Sequence, residues 1–553
     1  MLNRGEAMSI QRKRDRMLVD TVVLSLFSVG LQGLGLLFNV FLTRRIGAAS
    51  VGVMTLMGSF FGLAAVLSGG SGFVAVSRFV SEELGCGGDP ARIFRYIIQF
   101  CAVLSISVSA ILFFAAPLIT QHLLGEPGTD TAVHMLCLAL PVSALSGCLK
   151  GRCYAFQRFY VPAVAEYIEF LIRSGVMAFC AVFLLPQGKI TILSAFALSV
   201  LAGQGSTLLF FAAVKLPSTE SQCVCSFTFS RFLKLILPMI GNACLIALLS
   251  STSDALVPLT LLQYGSSTEE ALSQFGEFEA IIIPTLFFPS VVQCCQSALL
   301  VPRLSRARTE HREDIIRIQT ERILEQTASY ALCVVLLISQ LGIQIGEMLG
   351  GNRFTGEILR IMAPIVPFIY LEIVLEGILR GLGRQNFSTV NYLAEYIVRI
   401  SVLLICVPLF GFYGIVLSYL ICNISGNAVR LYFVLRVTGL KPVWRRIILM
   451  PLTALFLSLL IPKLGVRFVT NKELYAIPAA ILSAAAYWGI LYLMQKHPVN
   501  SGAGMPYSIG SKNIARYAAA DAASATTISG QPKNASTTAT TVPAIEDGRS
   551  FVA

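Results

Sequence analysis

The sequence predicts an all-α integral membrane protein of about fourteen transmembrane helices, two pseudo-symmetric six-helix lobes plus two extra C-terminal helices. Composition is the first ground. Of 553 residues, 55% are apolar and only 13% charged, with a mean hydropathy of +0.73, whereas a soluble domain carries about 25% charged residues. The second is a succession of apolar runs, each near the roughly 20 residues that one span requires. The third is an internal repeat. Gly147–Arg173 reads GCLKGRCYAFQRFYVPAVAEYIEFLIR, and Gly377–Arg399 reads GILRGLGRQNFSTVNYLAEYIVR. Both copies open on Gly-x-x-(Lys/Arg)-Gly and run through a polar joint into Ala-Glu-Tyr-Ile, at Ala165–Ile168 and Ala394–Ile397. A repeat at that distance in apolar sequence suggests two similar bundles in one polypeptide.

The elements follow in order. Residues 1–16 are polar and basic, a cytoplasmic N-terminus. Met17–Leu42 is too long for a signal-peptide core and reads as a retained first span. Spans follow near 48–69, 93–120, 131–149, 162–185 and 190–214, completing an N-lobe over 17–214. A polar linker, 215–231, separates it from a C-lobe over 232–437, with spans near 232–263, 278–301, 326–349, 357–379, 388–409 and 412–435. Two further spans, near 446–464 and 474–494, fill 438–496. Beyond them 497–553 turns to Ala, Ser, Thr and Gly, the composition of a disordered cytoplasmic tail.

Charge placement supports this order. Alternate loops carry Arg78/Arg92/Arg95, Lys150/Arg152/Arg158, Arg303 to Arg322, Arg380/Arg384 and Arg436/Lys441/Arg445/Arg446. The opposite loops are poor in Lys and Arg, and those near 121–130 and 264–279 are acidic. The positive-inside rule then places both termini in the cytoplasm. Two equal six-span bundles enter the membrane the same way up, so their pseudo-axis stands along the membrane normal, with a cavity between them. Pro302–Glu325, charged at helical spacing, predicts a short amphipathic helix on the cytoplasmic face.

Several function classes are excluded by what the residues lack. The net charge of +12 lies in loops between spans and not in a nucleic-acid motif. Cys223-x-Cys225 and Cys294-Cys295 have no partner His or Cys at metal-site spacing. The four His are unpaired at catalytic spacing, and no Gly-x-Ser-x-Gly elbow occurs. A membrane-embedded glycan-processing enzyme needs a large polar loop, and none is present.

The chemistry rests on ionisable residues inside spans, which cost about 2.5–3.5 kcal/mol each to insert and normally face a bundle interior or water. Glu166, Glu169 and Arg173 share a face of the fifth span; Glu395 and Arg399 stand four apart in the eleventh. Two readings stay open: ion pairs locking each helix into its bundle, or one arginine per lobe facing the cavity to hold an anionic head group. Glu372, Glu376 and Arg380 follow at four-residue steps, whereas the first half has Val142 and Ser146 at the glutamate positions. Glu372 and Glu376 are coupling candidates for H+ or Na+, or Glu376 simply pairs with Arg380. Asp254 ends the polar run Ser250–Asp254 between Pro238 and Pro258, as a cavity wall or a helix–helix hydrogen bond. Gly69-Gly70-Ser71-Gly72 breaks the second span and predicts a hinge.

Certain motifs carry a resemblance. Arg45-Ile46-Gly47 with Val51-Gly52, Ser77-Arg78-Phe79-Val80-Ser81-Glu82, Pro284 and Pro289 with Ala298–Arg303, and Gly377–Gly383 resemble, in order and spacing, motifs of the multidrug/oligosaccharidyl-lipid/polysaccharide exporter superfamily. The branch they most resemble is that of the stage V sporulation protein B-type polysaccharide transporters. The resemblance covers about residues 17–495, nearly everything but the tail. It implies a V-shaped pair of lobes working by alternating access, with an undecaprenyl-diphosphate-linked saccharide such as a peptidoglycan precursor as cargo. By the same resemblance the two last spans form a groove for the lipid tail. One departure is plain: the lipid II flippases of this superfamily hold the diphosphate with arginines in their first spans, and Met17–Leu42 contains none. Arg173 and Arg399, with Glu166, Glu395 and Asp254, are therefore the expected substrate-binding residues. This reading calls for no cofactor beyond a coupling H+ or Na+, a monomer in the cell membrane, lipid contacts and no nucleic acid. A cation-coupled multidrug exporter of the same superfamily, and a scaffold recruiting cell-wall synthesis proteins through the tail, remain alternatives.

Overall fold

The computed structural model describes residues 27–70, 72–86, 89–119, 130–214, 229–460 and 472–496. Among these, every element is a helix, and no strand occurs. Membrane depth dictates this, because a backbone without water must satisfy its N–H and C=O groups internally, which a helix does within one segment. The expected N-terminus 1–16, nearly all of the linker 215–231, the loop 121–130 except its last residue and the tail 497–553 lie outside the described residues.

The first half comprises α1 (Phe27–Ile46), α2 (Ala48–Ala65), α3 (Gly72–Cys86), α4 (Pro90–Ile119), α5 (Asp130–Ala155), α6 (Tyr160–Phe179) and α7 (Ile192–Ala213). The second comprises α8 (Phe229–Tyr264), α9 (Thr268–Glu277), α10 (Ile283–Phe287), α11 (Val291–Thr309), α12 (Glu313–Met348), α13 (Arg353–Met362), α14 (Val366–Gly381), α15 (Gln385–Phe410) and α16 (Phe412–Thr438). Last come α17 (Met450–Ser458) and α18 (Lys472–Lys496). Polar side chains start several helices by accepting otherwise orphaned backbone N–H groups. Thr191 accepts from Ser194 N at 3.2 Å, Ser267 from Glu270 N at 3.2 Å and Asn352 from Thr355 N at 2.9 Å.

Thirteen described helical stretches are long and apolar enough to cross a membrane. The expected span near 446–464 begins as a π turn, Arg445–Leu449, continues as α17, and is described only to residue 460. Two expectations are corrected. Pro302–Glu325 is not a helix lying on the surface: α11 runs through Pro302 to Thr309, and α12 begins at Glu313. The helical charge spacing there belongs to the ends of two long helices, reversed at a corner where His311 takes φ 53°. Likewise the loop expected near 264–279 is only the short turn 265–267 between α8 and α9, because Ser267 and the acidic first turn of Glu269 and Glu270 start α9. The glycine break in the second span is present as a π turn, Val66–Gly70, where Gly69 takes φ 119°.

Within the first half α5 packs on α3, α4 and α7, and α6 packs on α7; within the second α15 packs on α8 and α16, and α14 on α11 and α12. Helices α17 and α18 pack on α12. The halves meet along α2, which lies against α8 and α9. Gly52 of α2 and Gly276 of α9 set that approach: a Cβ on Gly52 would overlap the Leu272 carbonyl, and one on Gly276 the Ala48 carbonyl. Near this crossing Asn39 Nδ2 donates to Ala280 O at 3.3 Å, and Arg44 donates to Met348 O.

Candidate functional site

Farther along the same seam, Ser59 Oγ of α2 donates to Asp254 Oδ2 of α8 at 2.7 Å, joining the two halves through a polar bond at membrane depth. Asp254 and Glu279 are the carboxylates whose charge reaches Arg399 of α15. The Arg399 guanidinium lies over the Tyr419 ring of α16, 4.9 Å from its centroid. Its Nε is buried and has no hydrogen-bond partner among the described residues. A buried guanidinium donor left unpaired is uncommon.

Next to this group lies a second one, entirely within the second half. The side chain of Arg430, on α16, is completely buried. Its Nη1 lies 2.6 Å from Glu395 Oε1, and its Nη2 donates to Glu395 Oε2 at 2.8 Å. Glu372 Oε1 is 3.6 Å from Nη2 and Glu376 Oε1 is 4.0 Å from Nε. The Tyr392 ring covers the guanidinium at 4.3 Å. Glu376 also meets Arg380 Nε at 3.5 Å and accepts from Ser388 Oγ, while Asn391 Nδ2 donates to Glu395 Oε1 at 2.9 Å. Three carboxylates thus share two guanidiniums, an arrangement with an excess of negative charge at a depth where charge is costly. Cys422 Sγ donates to Glu395 O at 3.3 Å.

The first half is built differently. Glu166 pairs with Lys150 of α5. Glu169 accepts from Gln204 Nε2 at 2.8 Å and Thr207 Oγ1 at 3.2 Å, both on α7. Arg173 is exposed and makes no ion pair among the described residues, its Cβ lying against Gly203.

Each expected residue therefore has a definite place. Asp254 lies at the seam, within reach of the Arg399 charge but not in an ion pair with it; Glu372, Glu376 and Glu395 come together around Arg430; Glu166 and Arg173 join neither group. The four-apart pair Glu395–Arg399 gives way to Glu395–Arg430, because α16 brings a guanidinium to the face that Glu395 presents. Sequence reading missed Arg430 and Glu279. Arg430 sits in a strongly apolar run, SGNAVRLYFVL, and an intramembrane arginine there was a usable signal. It also missed a second repeat. Ser77-Arg78-x-x-Ser81-Glu82 returns as Ser305-Arg306-x-x-Thr309-Glu310 with the same bonds. Arg78 Nε meets Glu82 Oε1 at 3.0 Å and Arg306 Nε meets Glu310 Oε1 at 2.6 Å, while Ser81 and Thr309 donate back to the carbonyls of Ser77 and Ser305.

No protein-family model matches this sequence. It is 22% identical over 415 residues to stage V sporulation protein B of Bacillus subtilis (strain 168), covering 72% of this chain and 80% of that one. Among solved structures it is similar to lipid II flippase MurJ in an inward closed conformation, with a TM-score of 0.66 and 14% identity over 86% of this chain and 100% of that one. An inward-facing multidrug resistance MATE family transporter of the MOP superfamily gives a TM-score of 0.58 and 16% identity over 74% and 94%. These structural likenesses concern the fold. With the apolar helices, they make the chain a multi-pass membrane protein.

Proposed function

We infer that this chain, which has the fold of the multidrug/oligosaccharidyl-lipid/polysaccharide exporter superfamily, is a flippase for a lipid-linked saccharide. The cargo class is an undecaprenyl-diphosphate-linked sugar or peptidoglycan precursor, moved from the cytoplasmic to the outer leaflet with both termini in the cytoplasm. The observation that carries this reading is Arg399: a half-buried arginine whose Nε is buried and unpartnered, its guanidinium over the Tyr419 ring, on the same seam as the Ser59–Asp254 bond that joins the halves. Such a group suits an oxyanion, because the guanidinium fork offers parallel donors to phosphate oxygens. Arg173, exposed on α6, supplies a second cation from the other half. The likeness to MurJ supports the same reading, since it extends over more of this chain than the MATE likeness does.

Alternating access then follows from the seam. The Gly52–Gly276 crossing and the Ser59–Asp254 bond hold one arrangement; breaking them releases the other, and cargo that binds both states is carried across. The carboxylate excess around Arg430 supplies a place for a coupling H+ or Na+, with Glu372 as its half-buried member. That same excess favours the second reading, a cation-coupled exporter. Reconstitution in liposomes with a panel of lipid-linked sugars, under imposed proton or sodium gradients, tests both. Leaflet transfer of the sugars supports the flippase; transfer of amphiphilic cations alone supports the exporter.

A further inference from the structure

We propose that the second half carries a separate anion site for a phosphate-bearing group, in the cavity between the C-terminal end of α11 and the turn that joins α14 to α15. The cavity is a surface depression of about 360 Å³, open to solvent and lined by Ser305, Arg308, Thr309, His311, Arg380, Gly381 and Gly383. It is distinct from the seam and does not depend on the flippase reading.

Four features support an anion there. No carboxylate lines the cavity. The nearest in sequence, Glu310, is held by Arg306 at 2.6 Å and faces Arg312 at 3.9 Å. Glu376, which shares Arg380, is buried and also engaged by Ser388 and Arg430, whereas Arg380 itself is 61% exposed. Second, Arg308 is pre-positioned: its Nη1 donates to Leu382 O, which fixes the planar fork while leaving further N–H groups for a ligand. Third, the turn is built to admit it. Gly383 takes φ 65°, and a Cβ there would collide with Arg308 Nη1. Fourth, the repeat supplies an internal control. The corresponding cavity of the first half, about 510 Å³ between α3 and the α5–α6 turn, is lined by Ser81, Leu84, Tyr154, Phe156, Gln157 and Phe159 and contains no cation. Val80 stands where the duplicated motif has Arg308, and Lys150 is drawn off to Glu166. The architecture thus requires the cavity but not its charge. Two guanidiniums with the Ser305 hydroxyl match phosphate oxygens, whether on a lipid head group or on a free phosphate.

The test uses the full chain in nanodiscs of neutral phosphatidylcholine, titrated with inorganic diphosphate, and in nanodiscs containing phosphatidylglycerol, with retained lipid read by native mass spectrometry. Arg308→Gln, Arg380→Gln and, in the first-half cavity, Tyr154→Phe are compared, each accepted only if its thermal midpoint stays within a few degrees of the parent. If Arg308→Gln fails that criterion, Arg380→Gln carries the test. Diphosphate binding that weakens about tenfold in the arginine variants and is unchanged in Tyr154→Phe supports the site with free phosphate as its source. Retained anionic lipid that is lost in the same variants, without diphosphate binding, supports it with a head group as the source. Absence of both, or binding that ignores the arginine variants, overturns it.

Discussion

Arg430 Nη1 lies 2.6 Å from Glu395 Oε1, and Gly426, one turn earlier on α16, leaves the space in which they meet. A Cβ on Gly426 would overlap the Glu395 carboxylate. The glutamate at this point of the repeat therefore has a cation in both halves, but Glu166 takes Lys150 from the preceding helix whereas Glu395 takes Arg430 from the following one. The second half thereby becomes the half with buried, interlocked charge.

Arg430→Ala should destabilise the protein by about 3–5 kcal/mol, because it leaves Glu395 and Glu372 without their cation, while Glu376 keeps Arg380. Gly426→Ala should give a smaller loss of the same kind by pushing Glu395 away. Thermal unfolding in detergent or nanodiscs reads both, and an unchanged midpoint for Arg430→Ala would remove the pair from the fold's support.

Gly151→Ala and Gly381→Ala should each cost about 1–3 kcal/mol, the range for overpacking a close helix contact. A Cβ on Gly151 would overlap the Phe73 carbonyl, and one on Gly381 would come 2.9 Å from Leu304 Cβ. Equal midpoints for parent and variants would show that these contacts yield freely.

At the seam, Gly52→Val or Gly276→Val should block the close crossing of α2 and α9 and shift the population away from this arrangement. Double electron–electron resonance between spin labels on α2 and α9 should show a longer distance. Transport should fall while the folded fraction holds; an unaltered distance distribution would contradict the role given to these glycines.

Asp254→Asn should leave the bond from Ser59 nearly in place but weaken its charge-assisted part, and it removes one of the two carboxylates that reach Arg399. The expected outcome is a change in transport with little change in stability. A variant that unfolds without first losing transport would mark Asp254 as a structural link only.

Much of this was legible beforehand. Glu372, Glu376 and Glu395 were readable because an ionisable group in an apolar run must have a buried partner or water. The order of spans was readable because their length and the arginine-rich turns obey bilayer physics. What was not legible is who pairs with whom. Spacing of four within α15 suggested Glu395 with Arg399, but partners within one helix compete with those of its neighbours, and α16 supplied Arg430 at shorter range. Nor did helical spacing in Pro302–Glu325 reveal whether the charges lie on a surface helix or at the ends of two spans, since both have the same period. Glu279 was counted with the acidic loop near 264–279, whereas it belongs to a π segment, Phe278–Ile282, that continues α9.

The most direct measurement is leaflet transfer of an undecaprenyl-diphosphate-linked sugar by the reconstituted protein, comparing the parent with Arg399→Ala and Arg173→Ala. The account predicts transfer by the parent and a loss of about tenfold or more in Arg399→Ala, as expected when a charged donor to the cargo is removed. A smaller loss is expected in Arg173→Ala, which lacks the buried setting. Full transfer by both variants, or no transfer of any lipid-linked sugar by the parent, would contradict it.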